Sequence, residues 1–155
     1  MDTSIIAAFT QAATTTFRDM FGIAAALSGT AELSSSQEEH GWDITGLVGL
    51  AGQAQGVVAI RLPQPILSTL LSGSGVSAAG VLEGRQLESG LVGEMMNIIA
   101  GSAVSAIRDL NIEIAPPVIV RGPNHKIGWP SIAPVIALSF GIPSGSFEID
   151  LCVRH

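Results

Sequence analysis

Apolar residues recur at helical spacing in two long stretches of the chain and at strand-like spacing between and after them. Ile5, Ile6, Phe9, Ala12, Ala13, Phe17 and Met20 share one face of a helix from Thr3 to about Met20, and Gly22 supplies its stop. Three strand-like runs follow, at 23–33, 41–52 and 56–63, with a polar loop of Ser, Gln and Glu between 34 and 40. Pro63 and Pro65 open a short helix, and GSGVSAAG at 73–80 reads as a flexible joint. A second long helix runs from about Gly84 or Arg85 to Leu110. Three more strand candidates, at 117–122, 132–141 and 146–154, close the chain. Strands grouped apart from helices indicate an α+β fold.

A repeat lies inside this pattern. GQAQGVVAIRL (52–62) and GIPSGSFEIDL (141–151) place Gly52 with Gly141, Gly56 with Gly145, Ile60 with Ile149 and Leu62 with Leu151. Each reads as a hairpin turn followed by an alternating strand. Two explanations stand side by side. Glycine-rich hairpins resemble one another by chance, or a helix-plus-three-strand unit is duplicated about a pseudo-two-fold axis. In the second case one domain spans 1–155, its halves cover about 1–73 and 85–155, and the first helix and the long helix are counterparts.

Composition narrows the function classes. A chain of 155 residues with 47% hydrophobic and 13% charged residues is globular, not disordered. A net charge of −6 argues against a nucleic-acid partner, which demands a basic surface. The lone cysteine, Cys152, forms no internal disulfide and no zinc spacing exists, which fits a reducing cytoplasm. Met1-Asp2-Thr3 has no basic start of an export signal, and the apolar run 91–107 is too short and too interrupted for a membrane span.

That run, LVGEMMNIIAGSAVSAI, raises the chemical question, because it carries Glu94 and Asn97. With Glu94 set at zero on a helical wheel, Gly90, Asn97, Gly101, Ser105 and Arg108 fall within about 60° of it. Val92, Met95, Met96, Ile99, Ala103, Ala106 and Ile107 fall on the far side. The outward strip is therefore narrow, and the glycines flanking its polar pair let another surface approach the backbone. A solvated face is the bland alternative. Competing sites are thin. His40, His125 and His155 share no metal-ligand spacing and read as surface residues. Asp19, Asp43 and Asp150 are scattered, no serine sits in a nucleophile elbow, and Trp129 reads as a loop anchor or a contact surface.

GEMMNIIAG, followed by the Pro116-Pro117 strand start, a glycine-bearing loop and a closing hairpin, resembles the CheX, CheC and FliY phosphatases of bacterial chemotaxis. The likeness covers nearly the whole chain and is nearest to the CheX type in size and in having one good motif. It implies an α+β fold with an extended, mostly antiparallel sheet, two long helices and an internal pseudo-two-fold. It implies an aspartyl-phosphate phosphatase acting on a phosphorylated CheY-like response regulator. The family's E-x-x-N signature falls on Glu94 and Asn97. The counterpart in the first helix, Gln11 to Thr14, lacks the pair, so one site per chain is implied. Gly90 stands where the family often has Asp or Ser. Gly90, Gly101 and Ser105 are the expected partner-facing positions. Mg²⁺ is expected in the partner, with no cofactor or metal bound by this chain, and a cytoplasmic homodimer is implied. A non-catalytic receiver-binding or flagellar-switch-like adaptor would use the same face. A small-molecule-binding domain would instead need a closed apolar pocket.

Overall fold

The computed structural model describes residues 2–33, 41–74 and 80–155. The polar loop expected at 34–40 and most of the joint at 73–80 lie outside them. The first helix, α1 (Thr3–Phe21), starts where the Asp2 carboxylate accepts the Ser4 N–H at 2.8 Å and ends at Gly22, whose φ of 66° suits glycine. Strands β1 (Ala26–Leu33), β2 (Ile44–Gly52) and β3 (Gln55–Leu62) precede the short helix α2 (Gln64–Gly73). The long helix α3 (Val81–Ala106) leads to β4 (Ile112–Ile114), β5 (Val118–Arg121), β6 (Val135–Ile142) and β7 (Gly145–Arg154).

β1, β2 and β6 each start three residues later than expected, and both ends of α3 differ. α3 starts at Val81 and ends four residues before Leu110. Ile107 leaves the helical region at φ −93°, ψ 79°, and its N–H turns back to the Val104 carbonyl. Ala106 is consequently exposed and Ile107 half-buried, so the buried face expected for them stops at Ala103. The unexpected β4 begins just beyond that break. Three residues are too few for alternation to register in a sequence.

All strands among the described residues join one seven-stranded antiparallel sheet of order β1-β6-β7-β3-β2-β4, with β5 also paired to β2. The outer edge of β2 is shared: Ile44–Leu47 meet β5, Leu50–Gly52 meet β4, and the Ala115 N–H bonds the Gly49 carbonyl between them. At the centre β3 runs against β7 with Ile60 opposite Ile149. These are the two isoleucines matched by the sequence repeat, so a two-fold through this pair carries β3 onto β7. Gly56 and Gly145 open the two strands with φ of 151° and 148°. A Cβ on Gly56 would lie 1.9 Å from the Cys152 carbonyl oxygen, which demands glycine there. The match of Gly52 with Gly141 does not survive. Gly56 pairs with Leu50, six residues back, whereas Gly145 pairs with Ile142, three back. Gly52 therefore ends β2 beyond its pairing with β3, opposite Ile112 of β4, while Gly141 lies within β6 opposite Ser146 of β7.

Helices α1, α2 and α3 cover one face of the sheet. Phe17 of α1 stacks on Phe147 at 4.4 Å, and Phe147 stacks on Phe140 at 5.1 Å. α3 lies so close to β2 that a Cβ on Gly46 would meet Val92 Cγ1 at 2.8 Å. The opposite face is covered by the 122–134 connection. Cys152 Sγ donates to the Pro130 and Ala133 carbonyls, both at 3.4 Å, and His125 Nε2 lies 2.6 Å from Thr45 Oγ1. Beneath it Arg61 donates from Nε to Thr45 Oγ1 at 3.2 Å and pairs with Asp150 at 3.7 Å, both ions fully buried. His125 is thus a half-buried structural residue, not a surface histidine, and Asp150 belongs to a network. Half-buried Trp129 lies in the same covering segment. Among the described residues no helix is long and apolar enough to cross a membrane.

Candidate functional site

α3 is held by its buried face. Val92, Met95, Met96, Ile99 and Ala103 have no exposed surface. On the flank, Gly93 brings the helix against the start of β5, where its Cβ would stand 3.6 Å from Pro117 Cγ. The helical phase therefore forces Glu94 and Asn97 outward, and both are exposed. No hydrogen bond or ion pair with another described residue engages either side chain. Gly90 and Ser105 are exposed and Gly101 is half-exposed. A Cβ on Gly90 or Gly101 would meet nothing within 4 Å, so the strip is open at both ends of the pair. All five residues singled out in the sequence stand on one continuous surface.

Sequence reasoning missed Ile98, which is 36% exposed beside the pair. It also missed Glu88, on the inner side of the same helix. Glu88 is buried and accepts from Gln64 Nε2 at 2.6 Å and from the Arg121 guanidinium at 3.2 Å, so it ties α2, α3 and β5 together. Asp43 adds to this corner by accepting the Gln64 N–H at 2.7 Å. Alongside lies a cleft of about 410 Å³ lined by Asp43, Gln64, Arg85, Arg121, Gly122 and Pro123. It is open and polar, unlike the closed apolar pocket that small-molecule binding would need.

α1 presents a comparable strip without the chemistry. Gln11 is exposed, Ala12 and Ala13 are buried and Thr14 is half-buried. The Gln11 amide donates to Thr15 Oγ1 at 3.3 Å and the Thr14 hydroxyl to the Thr10 carbonyl at 3.0 Å, so both are occupied within their own helix.

The family described as "Chemotaxis phosphatase CheX" matches residues 44–141, well over half of the chain and all of α3. The chain belongs to the CheX family. Solved structures agree on the fold. CheX from Desulfovibrio desulfuricans superposes with a TM-score of 0.86 at 23% identity, over 97% of this chain and 99% of that one. A CheC-like superfamily protein from Shewanella sp. PV-4 gives 0.87 at 21% identity, over the whole of both chains. The CheX of a CheX–CheY–BeF3–Mg²⁺ complex from Borrelia burgdorferi gives 0.79 at 23% identity, over 97% of each chain. No curated protein matches the sequence.

Proposed function

We propose that this CheX-family chain hydrolyses the aspartyl phosphate of a CheY-like response regulator in chemotaxis signalling. The observation that carries the reading is the exposed, unengaged Glu94–Asn97 pair on a rigidly packed helix between two open glycines. In this reaction water attacks phosphorus, the bond to the aspartyl oxygen breaks, and inorganic phosphate and a free carboxylate result. Such transfer is mostly positioning and electrostatics. The partner supplies the phosphoaspartate and its Mg²⁺. Asn97 supplies one acceptor and one donor with which to hold the attacking water in line. Glu94 pairs with the cationic lysine beside the phosphorylated aspartate and fixes the register of the complex. The Borrelia complex of CheX with CheY, BeF3 and Mg²⁺ makes a receiver the natural partner for this relative. We also propose that the chain acts in the cytoplasm and as a homodimer, with one strip per protomer.

The test is the decay of a phosphorylated CheY-like receiver with and without this protein. Catalytic amounts should shorten its lifetime, and chelation of Mg²⁺ should stop the reaction through the receiver. Binding without acceleration would leave the adaptor reading in its place.

A further inference from the structure

The open side of α3 carries a row of residues spaced alternately four and three apart: Leu87, Leu91, Glu94, Ile98, Gly101 and Ser105. That alternation is the spacing with which one helix meets another. The side of α3 facing the sheet and α1 is already packed; within the row Leu91 lies half-buried against that core, while Glu94, Ile98 and Ser105 turn away from it and are exposed. Leu87 and Leu91 are half-buried, Ile98 is 36% exposed, and Gly101 and Ser105 add almost no bulk. Nothing among the described residues accounts for Ile98. A β-branched residue is a poor choice for a solvated helix interior. The other exposed large apolar side chains among the described residues are Leu27 and Val118, on strands, and Val81 and Leu82, in the first turn of α3.

We propose that this row is a helix-docking seam for the receiver, a reading that rests on the function proposed above. A helix of the receiver lies along α3, packs apolar side chains on Leu91 and Ile98, and brings its backbone close over Gly101 and Ser105. Asn97 projects from the flank of the seam, about 100° round from Ile98, toward the phosphoryl group. The occupant follows from continuity. Glu94 belongs both to the seam and to the polar pair, so a partner that delivers its phosphoryl group to Asn97 also covers Ile98. A second copy of this chain on the seam would bury Glu94 and close the site.

The experiment measures turnover of the phosphorylated receiver and, separately, binding to the receiver loaded with beryllofluoride and Mg²⁺. Ile98→Ala should raise both KM and Kd about tenfold with kcat unchanged, while Ile98→Leu keeps near-wild-type values. Gly101→Leu should abolish binding without lowering thermal stability, since its side chain enters open space in the free protein. Wild-type KM and Kd in both Ile98→Ala and Gly101→Leu would overturn the seam. A wild-type chain that binds without hydrolysis would end the phosphatase reading alone, and the same Kd series would then decide the seam. Failure of the wild type to bind the loaded receiver would overturn both.

Discussion

Glu94 and Asn97 leave one helix face a single turn apart, and their chemistry divides their expected effects. Asn97→Ala should cut receiver dephosphorylation at saturation about a hundredfold or more while leaving binding nearly intact, because a positioned amide acts mainly in the transition state. Glu94→Ala should also weaken binding, by about ten- to a hundredfold, through loss of a charge-assisted contact. Decay measured at saturating and sub-saturating protein separates the two, and full activity in Asn97→Ala would end its assignment. Both positions were legible because the 100° helical step leaves no freedom: Met95, Met96, Ile99 and Ala103 fix the inward side, and the pair must face out. Ile98 obeys the same geometry, only about 40° from Glu94. It escapes a sequence reading because an apolar residue in an apolar run is taken for core. Cys152 shows the converse. Its sequence position says only that it is unpaired, whereas burial pushes its thiol pKa up from 9.0. It should resist alkylation at neutral pH in the native protein and react once unfolded; rapid native labelling would contradict that packing.

At the scale of elements, α1 and α3 share a burial pattern but not a surface. Sliding the Glu94–Asn97 motif onto Gln11–Thr14 places Thr15 at the position of Ile98 and Arg18 at that of Gly101. If the seam is needed, grafting the pair alone is insufficient. Gln11→Glu with Thr14→Asn, in a chain lacking Asn97, should therefore restore no phosphatase activity. Recovery of turnover would show that the polar pair suffices without a docking surface. The start of α1 titrates in a predictable direction. The Ser4 N–H, the Ser4 hydroxyl and His155 hold the Asp2 carboxyl below its ordinary 3.8. A lowered folded-state pKa means the cap contributes fully above pH 3.8 and is lost as pH falls through the lower folded value. The Ser4 amide signal should follow that loss, while Asp2→Asn, which still caps, should remain flat across the same range. An unchanged profile in Asp2→Asn would assign the transition elsewhere. The helix ends themselves were legible where a cap exists, as at Gly22, and drifted where none does, as beyond Ala106.

For the whole molecule, the α+β class and six of the seven strands could be read from periodicity, but the covering of the second sheet face could not. Thr45, Arg61 and Asp150 alternate with apolar neighbours as solvent-facing residues do, and GPNHKIGWPSIAP has no period that announces burial. The central pairing ties these residues to the repeat. With Ile60 opposite Ile149, a two-fold carries Arg61 onto position 150, so the buried ion pair links equivalent positions of β3 and β7. We propose that 1–73 and 85–155 derive from one duplicated unit, and that this pair joins them through the second face. The energetics then follow from burial. Removing one ion takes the opposite charge from the other at a site away from water, so Asp150→Leu or Arg61→Met should each destabilise the fold by about 3–5 kcal/mol. Replacing both removes the desolvation cost along with the attraction, so the double variant should be more stable than either single one. Urea unfolding of the four proteins closes the cycle. Additive losses would mean that each charge is stabilised independently of the other, and that the pair does not hold the halves together. Because the network lies on the face opposite α3, a double variant that folds should also dephosphorylate the receiver at the wild-type rate. A matching fall in turnover would couple the two faces through β3 and β7.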